Sequence, residues 1–192
     1  MEIATPQAEG AQDQDNKKTS AQKINRAEPY FMDKLILLTD GSVHARLKIG
    51  YGAYLAVYEH ELSLDTLKDR VKVKRFEHTS STKLELQTLL WALSDIQALA
   101  RRVTVYTDSQ NVMCLPKRRD RFEKNDYQSK KNMRLNNDKL YQEFFRMNDL
   151  LGCEFIKVRG HQVSNQKDDI DRLFTLVDRA ARKALRKNRG IR

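Results

Sequence analysis

The stretch Val103 to Gln110, VTVYTDSQ, constrains this chain more than any other. Val103 and Val105 alternate with Thr104 and Tyr106, the period and β-branched content of a strand. The stretch then meets Asp108, a carboxylate where the strand should stop and a helix begin. Leu35 to Ser42, LILLTDGS, repeats the device: a continuous apolar run, the mark of a strand buried on both faces, ends on Asp40 and Gly41. Two central strands that each deliver an aspartate to one sheet edge would bring two carboxylates together. That is how a site for a hard divalent cation is built.

Further elements surround these two. Lys34–Asp40 reads as the first strand, and Tyr51, Ala53, Leu55 and Val57 alternate through a second. VKVKRFEHTS, from Val71, reads as a third, with Glu61 to Arg70 as the turn between; short links predict an antiparallel meander. From Thr82 to Ala100 the apolar period becomes helical: Leu86, Leu89, Leu90, Leu93 and Ile96. The strand bearing Asp108 follows at once, and a helix between strands implies a parallel crossover. A short helix to Pro116, a charged segment over 117–134, an amphipathic helix through Leu140, Phe144, Met147 and Leu151, and a fifth strand from Cys153 come next. A last helix carries Ile170, Leu173, Phe174, Val177 and Ala181. The sum is an α/β fold: a mixed five-stranded sheet, strands one to three antiparallel and four and five parallel, flanked by helices.

Charge locates the partner. Residues 1–32 carry four Lys/Arg and five Asp/Glu, whereas the remaining 160 carry a net +11. The basic balance therefore belongs to the folded body, as a phosphate-rich partner requires. Residues 1–32 have almost no large apolar side chains and are expected to be a disordered tail, with the folded domain spanning 33–192. Cys114 and Cys153 form no CxxC pair, and no apolar run approaches a membrane span. A reduced, cytoplasmic, monomeric protein with no membrane partner is the expectation.

The order of Asp40 within DGS, Glu85 within KLELQTLLWAL, Asp108 within YTDSQ, His161 within KVRGH and a closing helix with VDRAARKALR resembles the ribonuclease H type 1 family. The resemblance covers about residues 33 to 186. It implies a ribonuclease H-like fold and hydrolysis of the RNA strand of RNA–DNA hybrids by two Mg²⁺ ions, with Mn²⁺ the other candidate. Carried over residue by residue, Asp40, Glu85, Asp108 and a fourth aspartate would bind metal, and His161 would aid proton movement or product departure. Gly41, Ser42, Ser81 and Gln110 would face the hybrid, Gln110 in its minor groove. Arg118, Arg119, Lys130 and Lys131, in the segment where many members carry a cationic handle, would contact phosphates.

Each residue also has an ordinary use. DGS is a common turn, Thr82-x-x-Glu85 has the form of a capping box, and Asp108 suits a helix N-cap. The first hairpin lacks the Asn and Pro-Gly elements common in the family. Ser81 and Thr82 stand where many members have asparagines. The fourth metal ligand is open between Asp171, favoured by its distance from His161, and Asp178, favoured by the small residues that follow it; Asp178 is preferred. A DNA-cutting resolvase-like nuclease and an inactive duplex-binding module are the competing functions.

Overall fold

The structure, a computed structural model, describes residues 34–58, 64–99, 102–158 and 168–189. The expected tail over 1–32 and His161 lie outside them. Five strands form one sheet in the order β3-β2-β1-β4-β5: β1 Leu35–His44, β2 Ile49–Tyr58, β3 Lys72–Phe76, β4 Val103–Thr107 and β5 Glu154–Lys157. β1 to β3 form the antiparallel meander, and β4 runs parallel to both β1 and β5, as the pattern predicted. The helices are α1 Leu64–Leu67, α2 Ser81–Ile96, α3 Gln110–Cys114, α4 Arg119–Lys124, α5 Asp138–Leu151 and α6 Asp169–Arg189.

β1 is buried on both faces, which its unbroken apolar run required. Leu35 and Leu37 pack into a core with Leu86, Leu89 and Leu93 of α2 and Phe144 and Met147 of α5. Ile36 and Leu38 point the other way, into a second core with Leu55 and Val57 of β2 and Leu173, Val177 and Ala181 of α6. Each such aliphatic side chain contributes about 1.5–3 kcal/mol when fully buried. The alternation puts Asp40, two residues beyond Leu38, on the face covered by α6.

Several boundaries differ from the sequence reading. β1 does not end at Asp40 but continues to His44 and turns back through Ala45–Lys48, Lys48 taking φ 52°. What stops near Asp40 is the parallel partner, whose pairing runs only from Leu35↔Val103 to Leu38↔Tyr106. Part of the expected 61–70 turn is helical: α1, then a 3-10 turn at Lys68–Arg70. The long helix begins at Ser81 rather than Thr82 because Ser80 caps it, accepting from the Lys83 N–H. The 117–134 segment is no simple loop. A 3-10 turn at Pro116–Arg118 leads into α4, whose Phe122 is buried against Tyr127, Tyr141 and Phe145.

Glycine sets how near α2 lies to the sheet. A Cβ added at Gly52 would stand 2.0 Å from Thr88 Oγ1 of α2, and one at Gly41 would stand 2.9 Å from Leu84 Cδ2. Gly41 and Gly52 are cross-strand partners, so the two adjacent backbones together make the seat for this helix.

Candidate active site

Two aspartates, Asp108 just past β4 and Asp178 on α6, come within electrostatic reach of Asp40 on β1. Leu38 of β1 pairs with Tyr106 of β4, and continuing that parallel register by two residues sets Asp108 beside Asp40. α6 crosses the same face. Its Phe174, Val177 and Ala181 are buried in the core there, and Asp178, among them, is half-buried. Burial pushes the Asp40 carboxyl up from its ordinary value to about 7; the Asp108 and Asp178 charges and a hydrogen bond with Asp178 push the same way, against the Gly41 N–H. Two carboxyls can share a hydrogen bond only while one keeps its proton.

The same geometry separates the two candidates on α6. Asp171 lies two turns before Asp178, about 10 Å along the helix axis. It occupies the first turn, where its N–H donates to the Asp168 carboxylate at 2.8 Å. Asp178 alone of the two acts on Asp40, and its Oδ1 also pairs with Arg182 Nε at 2.6 Å.

Glu85 is not in this cluster. Its carboxylate accepts from Ser81 Oγ at 3.4 Å and from Ser109 Oγ. The capping box that would have tied it down does not form, since Ser80 is the cap. Asp108 is likewise freed from capping, because Ser109 Oγ accepts from the Val112 N–H and starts α3. Ser109 thus joins Glu85 to the turn that carries Asp108, a link across elements that the sequence reading missed. Its only signal was a hydroxyl after the aspartate in DSQ.

The remaining candidates divide by what they already touch. Gly41 and Ser42 lie on β1 past the end of β4, and exposed Ser81 opens α2 beside Glu85. Exposed Gln110 opens α3, its amide held between Lys157 and Cys114. Arg118 donates to Asn111 Oδ1 at 3.2 Å. Arg119 is engaged by Glu123 and Asp149 and lies over the Phe145 ring, so it braces α4 against α5. Lys130 and Lys131 are exposed on the turn that follows α4.

As the side chains stand, no group of three or more His, Cys, Asp or Glu among the described residues could hold a metal ion. The donors nevertheless fit a hard cation in kind: all are carboxylate oxygens. The repulsion that raises Asp40 is one a divalent ion would relieve.

The RNase H family model matches residues 32–185, most of the chain and every element of the sheet. The chain belongs to the RNase H family. Two solved structures share its fold. A foamy viral protease-reverse transcriptase in complex with dsDNA superposes with a TM-score of 0.59 at 11% identity, covering 79% of this chain and 96% of that one. The same viral protein in complex with RNA/DNA hybrid gives 0.62 at 11% identity, covering 92% of this chain and 22% of that one. No curated protein matches the sequence. RNase H domains are typically nucleases that use divalent metal ions.

Proposed function

We propose that this chain is an endonuclease that hydrolyses the RNA strand of RNA–DNA hybrids with two divalent metal ions, Mg²⁺ by preference. The observation that supports it most is the meeting of Asp40, Asp108 and Asp178 at one sheet edge, with the Asp40 carboxyl raised to about 7 by burial and by the other two. These three and Glu85 would hold the metal. Bound there, divalent ions supply a nucleophilic water at neutral pH and counter-charge for the leaving 3′-oxygen.

The chain's own residues do the rest. Burial keeps bulk water from much of the Asp40 carboxyl, which strengthens its attraction for a cation held there. Ser109 holds the Glu85 carboxylate by a hydroxyl that can rotate to release it. Gln110, beside Asp108 and exposed, reaches into the minor groove, where 2′-hydroxyls distinguish RNA from DNA. Gly41, Ser42 and Ser81 line the approach to the same edge. Lys130 and Lys131, with Arg118, grip phosphates of the DNA strand, and His161 moves a proton.

One assay separates this reading from its rivals. End-labelled RNA–DNA hybrid, double-stranded DNA and double-stranded RNA are each incubated with the full chain in Mg²⁺ and in EDTA. Internal cleavage of the hybrid's RNA strand, in Mg²⁺ alone, is expected. Cleavage persisting in EDTA would overturn the metal mechanism. Preferential cutting of DNA would mark a resolvase-like nuclease, and hybrid binding without cleavage would mark a binding module.

A further inference from the structure

We infer that Lys157 is a positioning residue, one that fixes the Gln110 side-chain amide as a hydrogen-bond donor toward the minor groove of a bound hybrid. This rests on the hybrid-cleaving reading above and adds to it how that contact is made. Lys157 ends β5 and pairs in parallel register with Thr107, so it stands one strand over from the turn that carries Asp108. Gln110 opens α3 two residues after Asp108. Lys157 Nζ donates to Gln110 Oε1 at 3.0 Å, and Gln110 Nε2 donates to Cys114 Sγ at 3.1 Å, one turn further along.

The chemistry of the partners fixes which way the amide points. An ammonium has three donors and no acceptor, so the atom facing it must be the amide oxygen. A thiol sulfur is a weak acceptor and takes only one N–H. The other N–H is left for a ligand. A glutamine without such partners can flip and present either a donor or an acceptor; this one presents a donor. Minor-groove edges offer acceptors at every base pair, purine N3 and pyrimidine O2, along with 2′-hydroxyls. A fixed donor there gives contact with any sequence, which suits a nuclease that reads duplex type rather than base order. Both side chains are exposed, so the pair fills no core and its loss should leave folding intact.

The test uses the ¹⁵N-labelled full chain with Lys157→Met, which keeps the aliphatic stem, and Lys157→Arg, which restores a donor. In free protein, Lys157→Met should shift the Gln110 side-chain amide resonances and Lys157→Arg should return them toward wild type. With hybrid in Mg²⁺, Lys157→Met should raise KM about two- to tenfold, the weight of one hydrogen bond, with a smaller change in kcat. In a Gln110→Ala background the same substitution should add nothing. Unmoved amide resonances overturn the inference. So does an additive double mutant, which would make Lys157 an independent phosphate contact. A wild-type chain that neither binds nor cuts hybrid refutes the hybrid reading instead, while the amide resonances still decide whether Lys157 orients Gln110.

Discussion

Asp40 is the residue whose chemistry is least like that of a free side chain. Its folded value near 7 lies above the 3.8 of an unperturbed aspartate. Between those two values the native state holds a proton that the unfolded chain releases. Metal-free stability therefore falls as pH rises from about 4 through about 7, by an amount on the order of a few kcal/mol. Asp40→Asn cannot ionise. It should lose that part of the slope and be the more stable protein at pH 8 in EDTA, as read from urea midpoints across pH. Parallel pH curves for the two proteins would contradict the account. Asp40 and Asp108 were legible in sequence because each follows a strand pattern. Ser109 was not, because its bond to Glu85 joins residues 24 apart and no local spacing encodes it.

At the scale of elements, α2 decides where Glu85 stands, and glycine decides where α2 stands. Gly52→Ala should destabilise the protein by about 1–3 kcal/mol, since the new methyl overlaps Thr88 Oγ1. Adding Thr88→Ala should recover much of the loss, and chemical denaturation of the single and double variants checks this. If Gly52→Ala is neutral, the close seat is not what holds the helix. The start of this helix also shows where sequence reading stops. Ser80, Ser81 and Thr82 can each cap, and Thr82 with Glu85 had the better motif; the chain uses Ser80, whose cap places Lys83 at the third position. The motif lost because capping is decided by where the preceding loop enters. Here the Thr79 N–H is tied to the Lys48 carbonyl of the β1–β2 turn at 2.9 Å. The strand directions were readable from the short links of the meander and from the helices that precede β4 and β5. The end of β1 was not, because a hairpin can outrun its parallel neighbour without any change in apolar pattern.

Across the whole molecule, the net +11 of residues 33–192 predicts salt-dependent binding, and the structure divides the basic segment by employment. Arg119 is bound by two carboxylates, while Lys130 and Lys131 are exposed. Replacing Lys130 and Lys131 by Ala should lower the slope of log K against log salt for hybrid binding by up to about two counterions. Arg119→Ala should change that slope less and instead loosen α4 from α5. Equal slope changes would return Arg119 to the phosphate-contacting group. The charge of this segment was legible in the sequence but α4 was not, because Phe122 alone does not announce a helix of six residues.

If Asp40 of β1, Asp108 just past β4 and Asp178 of α6, far apart in sequence, act as one metal-dependent site, the two acids of α6 must behave differently. Hybrid cleavage is titrated with Mg²⁺ for Asp178→Asn and Asp171→Asn side by side, each first shown to fold by circular dichroism. Asp178→Asn should lose activity at limiting Mg²⁺, while Asp171→Asn, two turns away and in the first turn of the helix, should follow the wild-type curve. Loss of activity in Asp171→Asn with Asp178→Asn left active would contradict it.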